Sequence, residues 1–508
     1  MSTLTPPATG ARALGELTAG LLTVPAGILV SDITADSSAV TPGALFLACR
    51  GRTHHGAKFA AEASSRGARA VLYEPDGIPA GELPRATPGT FVAGLPHLSA
   101  HAGLIADRFF GAPSARLTVA GITGTNGKTT CAWLLAQALE ACGRPAAYMG
   151  TLGFGRPPTV TPTLHTTPDA ISVHRQLEAL RALGAECVCM EVSSHALDQS
   201  RVGGVRFNTA AFTNLTRDHL DYHGSMAAYG VAKARLFGFE GLAHRVINID
   251  DPFGATLARQ ASPARLTVTM RAAADCARPE AAQFVRAARV TPDSGGLTIA
   301  IESSFGSAEL SVRLVGEFNV DNVLTVLAVL LAWDVPLPAA AQALARCRPA
   351  SGRMEMFGGG GSTPLAIVDY AHTPDALANA LRATRLHCRG QLRVVFGCGG
   401  DRDAGKRPLM GRIAAELADE LIVTDDNPRS EDPARIVAGI LEGIGAGVPL
   451  AVEHDRALAI RLGLTRSAPG DAVLIAGKGH EDYQIYGSAR RPFRDQAVVM
   501  EVLREMPA

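Results

Sequence analysis

Short apolar runs, glycine-rich turns and segments of helical period alternate along most of this chain. Ala44-Leu-Phe-Leu-Ala-Cys49 and Ala70-Val-Leu-Tyr73 read as buried strands, and the alanine-rich stretch from Phe59 to Gly67 reads as a helix. Gly111-Ala-Pro-Ser114 then breaks the pattern, which predicts a small α/β unit over residues 1–113. From Leu117 the order becomes apolar strand, glycine turn and helix, and it repeats through Cys187-Val-Cys-Met-Glu191 and Val246-Ile-Asn-Ile-Asp250. Both faces of such strands must be covered, so a doubly wound parallel sheet is expected over 114–349. A second series follows Gly352, with strands at Ala366-Ile-Val-Asp369, Arg393-Val-Val-Phe-Gly397, Leu421-Ile-Val-Thr424 and Ala472-Val-Leu-Ile-Ala-Gly477. It predicts a Rossmann-like α/β domain over 350–508, so the expected class is α/β with three domains.

Composition narrows the function. A chain of 508 residues exceeds one compact core. Lys plus Arg and Asp plus Glu both total 48, and this zero net charge gives no field to draw in nucleic acid or anionic lipid. Small-molecule partners are expected, with no nucleic acid. Polar residues, Gly or Pro interrupt every apolar run before the ~20 residues of a membrane span, so no membrane insertion is expected. The opening MSTLTPPATGARALGEL lacks a basic start followed by an apolar block, which predicts a cytoplasmic protein. Nine scattered cysteines read as reduced thiols in that compartment. Nothing suggests an obligate oligomer, and a monomer is expected. The tract Gly358–Gly361 reads as a turn or loop and is given no function.

The strongest chemical signal is the strand Leu117–Thr123 running into Gly124-Thr-Asn-Gly-Lys-Thr-Thr130 and then an apolar helix. Backbone N–H groups of such a turn, added to a helix N-terminus, cradle phosphate. Lys128 would reach the β- and γ-phosphates and the Thr129 hydroxyl a Mg²⁺ ion. Ile122 stands where the general motif has its first glycine, and the motif alone indicates ATP or GTP without naming an acceptor.

In this form the loop resembles that of the Mur ligases of cell-wall synthesis. Further motifs agree in order: Thr166-Thr-Pro-Asp169, Glu191-Val-Ser-Ser-His-Ala-Leu197, Asn214-Leu-Thr-Arg-Asp-His-Leu-Asp-Tyr-His-Gly224, Phe318-Asn-Val-Asp-Asn322, Gly352-Arg-Met-Glu355, Asp369-Tyr-Ala-His-Thr-Pro-Asp375 and Gly397-Cys-Gly-Gly-Asp-Arg-Asp403. Asp426-Asn-Pro-Arg429 and Gly477-Lys-Gly-His-Glu481 are similar to the diaminopimelate-adding members. The resemblance implies an ATP-dependent ligase that joins meso-diaminopimelate to the D-Glu of UDP-MurNAc-L-Ala-D-Glu through an acyl phosphate, in peptidoglycan precursor synthesis. Addition of L-lysine or L-ornithine is the alternative, and a P-loop regulatory protein without ligase chemistry is a reading of a different class.

The same resemblance assigns residues. ATP falls to Gly124, Thr125, Asn126, Gly127, Lys128, Thr129 and Thr130, with Asn322 on the adenine side and Arg353 and Asp369 toward ribose and phosphate. Arg353 and Asp369 lie outside the phosphate-loop domain, which implies completion of the site by domain closure. Mg²⁺ falls to Thr129, Glu191, His219 and Lys233. Alone, Glu191 reads as a strand-end carboxylate facing water, His219 as a loop histidine and Lys233 as a solvated helical lysine. The family counterpart of Lys233 is carbamylated by CO₂, and Lys128, Glu191, His219 and Lys233 form the implied catalytic set. Ser37, Arg52, Thr53, His54, Thr166, Thr167, Ser193, Gln199 and Arg201 are implied for the UDP-linked dipeptide. Ser38 stands where the family usually has Arg, and His55 where Asp is common. Arg402, Asp426, Asn427, Pro428, Arg429, Gly477 and Glu481 are implied for diaminopimelate, since an Arg fork suits its distal carboxylate and Glu481 an ammonium.

Overall fold

The computed structural model describes residues 10–51, 54–79, 82–85, 88–163, 165–271 and 279–506. The chain forms two compact units, one of Met1–Thr269, Asp275–Phe284 and Ala328–Asp334, the other of Met270–Ala274, Val285–Leu327 and Val335–Ala508.

Besides the short antiparallel pairing of Arg12–Ala13 with Leu29–Val30, the first unit holds two larger sheets. Strands Asp32–Thr34, Ala44–Ala48, Ala70–Tyr73 and Phe91–Gly94 make an all-parallel sheet in chain order. One face is covered by the helix Leu98–Phe109, whose Leu98, Ile105 and Phe109 share a core with Leu45, Leu47 and Leu72. Ala170 and Ile171, at the start of the helix Ala170–Ala182, enter that same core, and Arg175 reaches Asp32 at 2.9 Å. A shared core of this kind makes the small sheet and its larger neighbour one body.

The larger sheet runs Ala146–Gly150, Cys187–Glu191, Thr118–Thr123, Thr209–Phe212, His244–Asn248 and Arg265–Arg271, all parallel, with the antiparallel hairpin Gly153–Arg156 and Thr159–Thr161 at one edge. Thr118–Thr123 is central and buried, as its apolar and β-branched run requires. Its carboxyl end delivers the phosphate loop.

The second unit contains the antiparallel strands Gly296–Ser303 and Gly306–Val312 and a six-stranded sheet. That sheet runs Glu355–Gly358, Leu365–Asp369, Ala472–Ala476, Leu392–Phe396, Glu420–Val423 and Leu450–Val452, parallel except for its first edge strand. Ile367, Leu474, Val394 and Leu421 line one core face, and Val368, Ile475, Val395 and Ile422 the other. No helix of the described residues is long and apolar enough to cross a membrane.

Candidate active site

In the first unit the turn after Thr123 depends on two glycines. Gly127 has φ 84°, in the left-handed region, and starts the helix Lys128–Ala141. A Cβ on Gly124 would lie 1.9 Å from Thr213 Oγ1, so only glycine lets the loop settle there. The loop is held from the neighbouring strand end: Thr125 N donates to Asn214 O at 2.8 Å, Asn126 N to Asn214 Oδ1 at 2.9 Å, and Thr213 Oγ1 to Asn126 O at 2.6 Å. Thr130 follows Thr129 in the first turn of that helix.

Glu191 ends its strand only 1% exposed. The water-facing position that the residue alone suggests is not the one it takes, because Gly150, at the end of the adjacent strand, and Thr151, in the turn after it, close over it. A Cβ on Gly150 would stand 2.1 Å from Glu191 Oε1. Thr129 Oγ1 donates to Glu191 Oε2 at 2.9 Å, Thr151 N to Oε1 at 2.9 Å and Thr151 Oγ1 to Oε2 at 3.2 Å, while the Tyr148 hydroxyl makes a short bond to Oε1. These hydroxyl and carboxylate oxygens are hard donors of the kind Mg²⁺ takes.

Lys233 likewise departs from the solvated reading. It lies on the helix Met226–Ala234 and is 1% exposed, with Nζ donating to Gly124 O at 2.7 Å and 4.3 Å from the Tyr229 ring centre. Lys128 Nζ donates to the same carbonyl at 2.8 Å and to Thr125 O at 2.7 Å. Burial, and secondly the nearby Lys128 cation, push the Lys233 amine down to about 6, against the opposing pull of Asp218. Burial also lowers Lys128, with Glu191 and Asp218 opposing it. His219 has φ 51° and packs edge-on to His195 at 4.9 Å, its imidazole 3.5 Å from the Asp218 carboxylate.

A hydrogen-bonded run leads from this centre to the residues expected to meet the UDP-linked dipeptide. Thr151 Oγ1 meets Thr166 Oγ1 at 3.0 Å, and Thr167 Oγ1 donates to Glu191 O at 2.9 Å. Arg201 donates to Thr167 O at 3.0 Å and to Gln199 Oε1 at 2.6 Å, and Gln199 Nε2 donates to the Tyr222 hydroxyl at 2.9 Å. The Ser193 hydroxyl caps the helix Ser194–Asp198 by accepting from Ala196 N. Ser37 donates to Glu62 at 2.8 Å, while Asp36 accepts from both Ser38 N and Ser38 Oγ, so Ser38 is spent on a local turn. His54 is exposed, and His55 Nδ1 accepts from Ala57 N at 3.2 Å. Arg52 and Thr53 lie outside the described residues.

The second unit gathers the rest. Asn322 is buried and donates to Asn319 Oδ1 at 2.8 Å. Arg353 stacks 5.1 Å from the Tyr370 ring, and Asp369 accepts from Met354 N at 2.8 Å while its own carbonyl receives Gly477 N at 3.1 Å. Burial raises the Asp369 carboxyl despite those donors. Gly352 and Gly479 touch so closely that a Cβ on Gly352 would sit 2.0 Å from the Gly479 carbonyl carbon. Gln496 donates to Gly479 O at 2.9 Å and lies 3.3 Å from Ser351 Oγ, fastening the same two turns.

Around the motifs expected to meet the acceptor, Arg429 adopts φ 55° and is pinned by Arg429 N to Ile485 O at 3.0 Å and Nη1 to Gly400 O at 2.8 Å. A non-glycine residue held in the left-handed region is costly and needs such over-determination. Pro428 O accepts from Glu431 N at 3.1 Å, and Arg402 is exposed beside Gly399. Asp426 is buried, and burial raises its carboxyl while Arg456 and Lys478 oppose the rise. Gly477 has φ 119°, with Asp426 Oδ2 2.6 Å from where its Cβ would be. Asn427 Nδ2 donates to Glu481 Oε2 at 2.8 Å. Sequence reasoning did not single out Tyr148, Thr151, Asn214, Tyr222 or Lys478; the last three lie inside quoted motifs, which was the available signal.

A phosphate loop whose threonine is bonded to a buried strand-end glutamate, beside a desolvated lysine, defines a nucleotide-dependent phosphoryl-transfer class of α/β protein. Family models for the Mur ligase family catalytic domain, the Mur ligase middle domain and the Mur ligase glutamate ligase domain match residues 29–102, 122–330 and 352–479. The chain belongs to the Mur ligase family, with its three-domain α/β architecture and its ATP-dependent ligase activity. It is 47% identical over 476 residues, 94% of either chain, to a Xanthomonas campestris protein named UDP-N-acetylmuramoyl-L-alanyl-D-glutamate--2,6-diaminopimelate ligase. Proteins of that name from Alkalilimnicola ehrlichii and Pseudomonas aeruginosa are 48% and 45% identical, covering 94% and 92% of this chain and 95% and 94% of theirs. A solved structure of that name aligns with TM-score 0.75 at 33% identity, covering 97% of this chain and 99% of the other. A Thermotoga maritima MurF ligase in complex with ADP shares the fold at TM-score 0.57 and 17% identity, over 93% of this chain and 97% of that one.

Proposed function

We propose that this chain joins meso-diaminopimelate to the D-Glu carboxylate of UDP-MurNAc-L-Ala-D-Glu, converting ATP to ADP and phosphate, as the names of its relatives suggest. The substrate carboxylate attacks the γ-phosphorus and releases ADP; the acceptor amine then attacks the acyl carbon and expels phosphate. The observation that carries this reading is the meeting of Lys128, Thr129, Glu191 and Lys233 at one turn. Lys128 would neutralise the transferring phosphoryl group, and Arg201 with Gln199 would orient the dipeptide. Thr129 and Glu191 would hold Mg²⁺, with His219 and carbamylated Lys233 at a second position, and the ion would supply charge neutralisation at the phosphates.

The carbamate reading rests on Lys233 chemistry. CO₂ adds only to an unprotonated amine, and desolvation keeps this amine neutral at pH 7. Arg429, fixed beside Asn427, supports diaminopimelate over lysine or ornithine, because a guanidinium there matches the extra carboxylate. We take the enzyme to act as a cytoplasmic monomer on these small molecules. The test is ADP release with purified protein: it should require the UDP-linked dipeptide and an amino acid together, and diaminopimelate should be preferred in a panel with L-lysine and L-ornithine. ADP release independent of both substrates would return the chain to the P-loop regulatory reading.

A further inference from the structure

Between Gly477 and Glu481 lies Lys478, which is 0% exposed. A lysine stripped of water must recover its hydrogen bonds inside the protein, or its burial is strongly unfavourable. Its Nζ donates to Asn427 Oδ1 at 3.2 Å and to Glu481 Oε2 at 3.1 Å, with the Asp426 carboxylate 3.8 Å away and the Tyr483 ring centre at 5.5 Å. Asn427 is engaged on both sides of its amide: Oδ1 also accepts from Ile485 N at 3.0 Å, and Nδ2 donates to Glu481 Oε2 at 2.8 Å. One oxygen of Glu481 therefore receives Lys478 and Asn427 together. The other, Oε1, has no hydrogen bond among the described residues, and the side chain keeps 17% of its surface open.

The neighbouring charges show why an ammonium serves here. Arg456 is hydrogen-bonded to Asp495 at 2.7 Å and lends Asp426 only its charge, which leaves Lys478 as the cation bonded to Glu481. An aliphatic side chain would fill the same volume, but it could neither orient Asn427 nor hold Glu481 Oε2.

We propose that Lys478 is a positioning residue of the acceptor pocket, locking Asn427 and one oxygen of Glu481 so that the other oxygen is presented to an ammonium of the incoming dibasic amino acid. This rests on the acceptor reading given above. It adds a residue that touches no substrate and acts only through two that do.

A double-mutant cycle of Lys478→Met and Glu481→Ala tests the assignment, with acceptor concentration varied at saturating ATP and UDP-linked dipeptide. Each single variant should raise the acceptor KM about 10- to 100-fold, the range of a charged hydrogen bond, with the KM values for ATP and dipeptide unmoved. The double variant should be no worse than Glu481→Ala by more than about threefold, because nothing is left for Lys478 to hold. If Lys478→Met does not fold, Glu481→Ala against the double variant is the deciding pair, since the double removes both charges. Multiplying KM effects, or a common rise in all three KM values together with a lower melting temperature, would overturn the proposal. Should the wild type ligate L-lysine or L-ornithine instead of diaminopimelate, the acceptor reading fails, and the same cycle run with that amino acid still judges Lys478.

Discussion

The phosphate-loop centre and the acceptor-side loops both gather at the carboxyl ends of parallel strands, and both bury charge. They treat it in opposite ways. Around Gly124, two lysines converge on one carbonyl, and burial lowers the Lys233 amine to about 6. Around Asn427, Lys478 is matched by Glu481 and Arg456 by Asp495, each within hydrogen-bonding distance. The first arrangement holds groups away from their ordinary protonation, which suits a centre that must gain a modification and neutralise developing charge. The second pairs Lys478 with Glu481 and Arg456 with Asp495 but leaves Glu481 Oε1 open, which suits a rigid receptor that discriminates by what it leaves unpaired.

The contrast can be broken most severely at Lys233. Lys233→Ala should abolish ligation, bicarbonate should not restore it, and small carboxylates should rescue it in part by occupying the vacated anionic position. The wild type should show a carbamate carbon by NMR with labelled bicarbonate at neutral pH. The folded-state amine lies near 6, so the signal and the activity should fall as pH drops through that value, where protonation removes the nucleophile. Persistence of both well below pH 6 would contradict the desolvation argument.

Next in size, Lys128→Ala and Glu191→Ala should each lower kcat by about two to four orders of magnitude with the melting temperature little changed, since phosphoryl transfer depends on these charges. Parallel losses of stability and rate would make them structural. At the receptor, lysine in place of diaminopimelate would leave the half-buried Arg429 with its bond to Gly400 O but no carboxylate to balance its charge, a penalty of roughly 2–5 kcal/mol. That is discrimination of about 30-fold to several thousandfold in kcat/KM. Arg429→Ala should narrow or invert the preference; equal loss with both amino acids would mean Arg429 only shapes its loop. The smallest effect is expected for Tyr148→Phe, which removes one donor from Glu191 and should cost about tenfold in kcat, as one net hydrogen bond does. An unchanged rate would show that Thr129 and Thr151 alone hold the carboxylate.

Much of this was legible in the sequence because it is local. The strand at Thr118–Thr123, the glycine turn and the following helix are encoded within a few dozen residues, as are the strands at Ala366, Arg393, Leu421 and Ala472. The surroundings of Glu191 and Lys233 were not. Their isolation from water depends on which strand lies beside which: Tyr148 and Thr151 reach Glu191 only because Ala146–Gly150 pairs with Cys187–Glu191. Lys233 meets Gly124 across 109 positions of chain. Period and propensity carry no information about such neighbours. Family motifs marked the residues, and the sheet order supplied the reason. The antiparallel hairpin at Gly153–Thr161 and the paired strands at Gly296–Val312 also escaped, since nothing in their apolar pattern separates them from the parallel series around them.

The contact between Gly352 and Gly479 has a thermodynamic consequence. Neither turn has room to shift alone, so the segment carrying Arg353 and Asp369 and the segment carrying Gly477 and Glu481 share one set of conformations. Whatever biases that set from one end biases it from the other, and linkage makes the effect reciprocal: a nucleotide that tightens acceptor binding by some factor must itself be tightened by the acceptor by the same factor. On the proposed ligand assignments, these two glycines would make the second unit a device in which recognition of one ligand is felt as affinity for another.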